Sequence, residues 1–236
     1  MQVVNLAQMS YNLTQETITL LLELRQGHRP TVAVFLDGHN EFATAYYSGR
    51  PGSIVNEDMF AQRYQAGRRG FWGDLLALGR HLATVERLTH ATQYALRNGL
   101  ARPAPNVACE TIAPQYQNLV RSVEGWGHEF RFSPIFLWQP LLATSHKPLS
   151  RWERAIQAPA GYREALRRCS YLADSLMASE KGRTYFPLHT LYDRDTATVF
   201  LDDVGHVTEA GNAVMAARIA DVITPHLRTS STAHGE

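Results

Sequence analysis

With 236 residues, 44% of them hydrophobic and 19% charged, the chain can bury a sizeable core as a single domain. A net charge of +1 and a pI near 7.9 provide no basic field for nucleic acid or an anionic membrane, and pairs such as Arg68-Arg69 and Arg167-Arg168 read as solvated faces. No apolar run reaches the roughly 18 residues of a membrane span, and the first residues lack the basic, apolar, small-residue order of a signal peptide. Cys109 and Cys169 permit one disulfide but do not fix a compartment, and a leader lost upstream could carry a signal, so localisation stays open.

In chain order, Val3-Val4-Asn5-Leu6 reads as the end of a short buried strand. Asn12 can cap the helix that follows, with Gln15 completing a capping box. Its apolar residues Ile18, Leu21, Leu22 and Leu24 are expected on the inner face, and Gly27 with Pro30 ends it. The next strand, Thr31 to Leu36, is almost wholly apolar, as parallel strands covered on both faces are. Strand, helix and strand make a βαβ unit with a right-handed crossover.

From Ala43 to Gly127 the rhythm breaks. Ser48-Gly49-Arg50-Pro51-Gly52 is turn chemistry, and helices are predicted over Glu57 to Tyr64, Phe71 to Asn98 and Ile112 to Val123. Most of this region reads as a helical insertion over the strand ends, either roofing a pocket or forming a structural bundle. The sheet resumes at Phe130 to Trp138, where Pro134 requires a bulge or a strand starting at Ile135. A helix over Gly161 to Ala178, a short strand at Thr184-Tyr185-Phe186, a loop from Leu188 to Gly205 and a last helix over Glu209 to Leu227 follow. That helix is expected to bury Val214, Met215, Ile219, Val222 and Ile223. One domain over residues 1–228 and a disordered tail over 229–236 complete the organisation.

Two clusters carry chemistry. Asp37-Gly38-His39-Asn40-Glu41 lies on a loop after a buried strand, and Asp203-Val204-Gly205-His206 lies just before a helix. Both fall where an open α/β sheet places its active site, outside the carboxyl ends of strands. An aspartate close before a histidine can accept a hydrogen bond from one imidazole nitrogen and leave the other free as a base. Asp202 competes with Asp203 for that part. Asn40 can aim its amide at a developing oxyanion. Taken singly, each also reads as ordinary turn or surface chemistry.

Together they resemble a known family. Val4 to Tyr11 is similar to the second conserved block of the SGNH (GDSL) hydrolases, Gly38-His39-Asn40-Glu41 to the third, and Asp203-Val204-Gly205-His206 to the fifth, in the right order. The resemblance implies a three-layer α/β/α, flavodoxin-like parallel sheet with a helical insertion, and a serine ester hydrolase working through an acyl-enzyme without a cofactor. It gives His206 the role of general base and acid and Asp203 that of orienting it. Asn40 and the backbone N–H of Ser10 become oxyanion donors. The implied substrate is a small-molecule ester or acylated carbohydrate, with an acyltransferase as a variant of the same chemistry. Aromatic residues Tyr46, Tyr47, Phe71 and Trp72 are candidates to line its pocket, core packing being the competing role.

Three departures stand out. Ser10 replaces a usual glycine, Glu41 replaces a usual aspartate, and the first block, which carries the nucleophile serine, is absent. In the family's sheet the first strand is central, so its absence leaves two apolar edges facing a gap. The nucleophile is therefore expected upstream, with Met1 an internal methionine and the chain inactive as written. Two other classes compete: a non-catalytic binding module of the same fold, and a metal-dependent phosphoesterase using Asp37, His39, Asp203 and His206.

Overall fold

The computed structural model describes residues 2–54 and 109–232. Among them the chain is mixed α/β, with a small parallel sheet of three strands and six helices. In order these are α1 (Leu13–Arg25), β1 (Val32–Asp37), α2 (His39–Ser48), α3 (Cys109–Phe130), β2 (Ser133–Trp138), α4 (Arg151–Ala155), α5 (Ala160–Leu176), β3 (Tyr185–Pro187) and α6 (Glu209–Thr232). β2 is central, paired with β1 from Val32↔Ser133 to Asp37↔Trp138 and with β3 from Phe136↔Tyr185 to Trp138↔Pro187. The helices expected over Glu57 to Tyr64 and Phe71 to Asn98 lie outside the described residues, as do Phe71 and Trp72.

Alternation along β1 and β2 decides what covers each face. Phe35, Phe136 and Trp138 point to one side, where Leu13, Leu20 and Leu24 of α1, Val120 and Val123 of α3, and Ala173 of α5 close the main core. Ile135 and Leu137 point to the other, against Val222 and Ile219 of α6. α3, within the span read as an insertion, is thus a core helix. Cys109 at its start is disulfide-bonded to Cys169 of α5, which joins the two helices beside Ile112 and Leu166.

The capping box at Asn12 is formed as expected, since it depends only on local chain. The inner face of α1 is the expected one only at Leu24. Leu13, Thr17, Leu20 and Leu24 are buried, whereas Ile18, Leu21 and Leu22 are exposed. Apolar residues spread over about half of the circumference of this helix, wider than one buried stripe, and packing against α3 selects the edge that starts at Leu13. α6 shows the same ambiguity: Val222 is buried, while Val214 is exposed.

Pro134 needs no bulge. In β2 the N–H groups of Ser133 and Gln139 donate to Thr31 and Asp37 on the β1 side, whereas that of Phe136 donates to Thr184 on the β3 side. The missing N–H of Pro134 therefore faces the β3 side two residues before the pairing with β3 begins at Phe136, so no ladder bond is lost there.

Two expectations about strands are corrected. Val3-Val4-Asn5-Leu6 forms no strand; Val3 is 76% and Val4 66% exposed, because a strand exists only through pairing and this backbone has no neighbour here. The expected first βαβ unit is absent with it. β1 is not covered on both faces either, with Val34 43% and Leu36 38% exposed. Its far edge carries no strand among the described residues.

Candidate functional site

The first corner is tighter than a loop. β1 ends at Asp37, Gly38 turns the chain at φ +142°, and α2 starts at His39, so Asn40 and Glu41 sit in a first helical turn. Only glycine fits the turn: a Cβ would also stand 2.9 Å from Gln139 Cγ and 3.4 Å from Trp138 Nε1. Glu41 accepts from the Gly38 N–H at 2.6 Å and, across the chain, from the Leu13 N–H at 2.8 Å. One carboxylate thereby caps two helix starts, a task glutamate performs at this place without the usual aspartate.

Asn40 donates one amide hydrogen to the Tyr11 carbonyl at 2.7 Å. This leaves its second N–H for another acceptor and fixes Tyr11, hence Ser10, beside Asn40. Ser10 holds φ +64°, the left-handed conformation that glycine adopts at least cost. Serine thus occupies the conformation that a glycine would hold, and keeps its N–H.

Below this corner lies a buried carboxyl cluster. Asp37 Oδ2 accepts from Tyr116 Oη at 3.0 Å, while Asp37 Oδ1 and Glu16 Oε2 are buried without a conventional partner. Glu16 and Asp37 lie close enough to act on each other's ionisation, and both are driven towards the protonated form. Burial, then the charge of Glu41, pushes Glu16 up to about 7; burial, then Glu16 and Glu41, pushes Asp37 up as well.

The second corner is a turn built on a bridge between Phe200 and Val207, closed by Leu201 N–H to His206 O at 2.8 Å and Thr208 N–H to Val199 O at 2.8 Å. Glu153 steadies its base: Oε1 accepts from the N–H groups of Val199 and Phe200, and Oε2 pairs with Lys147 Nζ at 2.7 Å. Both side chains are fully buried. Burial alone raises the Glu153 carboxyl, but the Lys147 ammonium and the backbone donors more than offset it and bring it down to about 2.

Within the turn the partner of His206 is Asp202, not Asp203. Asp202 Oδ1 accepts from the N–H groups of Val204 and His206, both at 3.1 Å, and this directs Oδ2 to His206 Nδ1 at 2.5 Å. An aspartate opening such a turn is held by the backbone it bonds; Asp203, one residue further on, cannot make that bond. Partial burial works against the Asp202 charge, but the His206 ring and the two N–H groups hold its carboxyl below the ordinary value. His206 is 76% exposed, and with Nδ1 engaged its Nε2 is left to take a proton.

The two corners meet. A Cβ on Gly205, at φ +103°, would be crowded by Leu141 Cδ2 at 3.0 Å and would stand in ordinary contact with Gln139 Nε2 at 3.5 Å, so the side chain that crowds Gly38 also lies beside Gly205. His39 is buried in the same seam. Burial lowers it towards the neutral imidazole, against the opposing charges of Asp203 and Asp202. A small cavity of about 20 Å³ lies against the first corner from the α1 side, lined by Asn12, Leu13, Glu41 and Tyr116, and His206 is not part of it.

Asn40, Ser10 and His206 thus sit on adjoining corners, and no serine hydroxyl bonds His206 among the described residues. Gln139 was missed by the sequence reading. It directly follows β2, and the rule that ligands gather outside strand ends applies to it as well as to Gly38. Among the described residues no group of three or more side chains can hold a metal ion, and no helix is long and apolar enough to cross a membrane. Comparison of this chain with known protein families, curated proteins and solved structures finds no match.

Proposed function

We propose that this fold is an SGNH-type serine ester hydrolase whose nucleophile arrives on a further strand, one that pairs with the open edge of β1. The observation that carries the reading is the shared seam: Gly38 beside Asn40 and Gly205 beside His206 close on one side chain, Gln139. An amide donor and an imidazole–carboxylate pair around one space are the non-nucleophile parts of an acyl-transfer site. The exposed Val34 and Leu36 on β1 and the unpaired Val3 and Val4 are what a strand inserted between them would cover.

In this reading Asp202 keeps His206 in the Nδ1–H tautomer, and Nε2 removes the proton from the serine hydroxyl as it attacks the ester carbonyl. The free N–H of Asn40 and the backbone N–H of Ser10 receive the developing oxyanion. The protonated His206 then returns its proton to the departing alcohol, and water repeats the sequence on the acyl-enzyme. The chain without the inserted strand carries out none of these steps.

A fluorophosphonate probe tests this. Labelling is expected for a version extended upstream by a strand carrying the serine, and not for the 236-residue chain. Labelling of the short chain at any serine contradicts the missing-nucleophile account. An extended version that resists the probe leaves a binding module of the same fold.

A further inference from the structure

We propose that the buried carboxyls Glu16 and Asp37 form a pH-operated latch, which holds the start of α1 against the β1–α2 corner and thereby sets the Asn40 amide beside the Ser10 N–H. The proposal rests on the hydrolase reading only for what those two donors do; the latch belongs to the chain as it stands. The start of α1 meets the corner through polar bonds alone. The Leu13 N–H donates to Glu41 at 2.8 Å, the Asn40 amide to the Tyr11 carbonyl at 2.7 Å, and the Asn12 amide to Thr44 Oγ1 at 3.3 Å. Ser10, held at φ +64°, directly precedes Tyr11, so whatever moves Tyr11 moves both donors relative to each other.

Where the protons sit follows from the donors. Both oxygens of Glu41 face N–H groups, those of Leu13 and Gly38, so this carboxyl serves as the anion. Glu16 Oε2 and Asp37 Oδ1 are buried without a conventional partner, and the other oxygen of Asp37 has Tyr116 Oη at 3.0 Å. The titratable groups facing this space are Glu16 of α1, Asp37 of β1, Glu41 of α2 and Tyr116 of α3, with Tyr185 of β3 behind Tyr116 and bonded to Asp174 of α5. His39 of α2 faces Asp202, Asp203 and His206 instead. None of the three carboxyls enters a salt bridge among the described residues. Three anions there would repel one another with no counter-ion, and protons on Glu16 and Asp37 remove the repulsion. Both groups are pushed up, Glu16 to about 7, so the latch is closed below that pH and opens as pH rises through it. β1 is held to β2 along its whole length, so the start of α1 is the part that yields.

The test is an NMR pH series on the 236-residue chain. The nuclear Overhauser contact between the Asn40 side-chain amide and Tyr11 is followed from about pH 5.5 to about pH 8.5, beside contacts across the β1–β2 pair Val34↔Ile135. The Asn40–Tyr11 contact is expected at the acid end and lost above about pH 7, with the strand contacts unchanged. Glu16→Gln, which cannot ionise, should keep the contact throughout. Tyr116→Phe removes the donor that favours the ionised Asp37, and should move the loss to higher pH. A contact that persists at the alkaline end, one lost at the same pH in Glu16→Gln, or one lost only together with the strand contacts would overturn the latch. Should Glu16→Gln not fold, Tyr116→Phe decides, and a midpoint that stays or falls overturns it. A latch that opens in the short chain, with an extended chain that resists the fluorophosphonate probe, would sink the hydrolase reading and leave this one standing. Labelling of an extended chain whose Asn40–Tyr11 contact ignores pH does the opposite.

Discussion

Asp202 owes its place beside His206 to geometry that a short motif does not contain. One of its oxygens closes the turn on Val204 and His206, which leaves the other facing the ring. Spacing alone offered both aspartates, and only backbone hydrogen bonding separates them. Asp202→Asn should abolish the low-field Nδ1 proton signal of His206, while Asp203→Asn should leave it in place. In a serine-bearing extended chain, Asp202→Asn should lower kcat by on the order of 10⁴-fold, the usual result of losing the orienting carboxylate. The opposite ranking of the two aspartates in either measurement would return the role to Asp203. Asn40 was legible from its place after a strand, but its bond to Tyr11, and through it the placing of Ser10, was not, because a contact across the chain leaves no local signature.

At the scale of elements, α1 is clasped to the β1–α2 corner by carboxyl groups. Glu41 caps Leu13, and Glu16 lies close to Asp37, which accepts from Tyr116 of α3. Glu16 titrates at about 7 in the fold against an ordinary value of 4.5, so the folded chain holds a proton that the unfolded chain has lost between those values. The contribution of Glu16 to stability is therefore fully present below about 4.5 and is lost as pH rises to about 7. The fall is on the order of 3 kcal/mol for Glu16. Urea unfolding at a series of pH values should show it, and Glu16→Gln should flatten the profile; a parent protein that gains stability from pH 5 to 7 contradicts the clasp.

The same elements show what pattern alone reaches. The cap of α1, the place of β1 to within a residue and the end of β2 at Trp138 are local and were legible, whereas the start of β2 at Ser133 was not. The buried stripe of α1 was not, since its apolar arc is wider than the face that is buried and only α3 chooses within it. The extended stretch at Val3 reads as a strand by composition, yet composition does not supply the neighbour a strand requires.

At the scale of the whole molecule, the alternation of strands and helices announced a parallel sheet, and the sheet is there with helices on both faces. Its three-strand size was not legible, because a strand was expected at Val3 and that stretch finds no pairing partner. The cysteines allowed a disulfide without naming it; the fold brings α3 and α5 together and pairs them. With a sequence separation of 60, the chain-entropy argument makes this bond worth about 4 kcal/mol. Replacing Cys109 and Cys169 by alanine should lower the midpoint of urea unfolding accordingly, and an unchanged midpoint would mean that the packing of α3 on α5 suffices without the bond.

The central claim is that the corners carrying Asn40 and His206 enclose one space. Nuclear Overhauser contacts from the Gln139 side chain of the 236-residue protein test it without any assay of activity. Cross-peaks to the α protons of both Gly38 and Gly205 are expected from the packing of this side chain against each glycine. Cross-peaks to Gly38 alone, with Gly205 and His206 giving none to the β1–β2 end of the sheet, would place the two corners apart and remove the site.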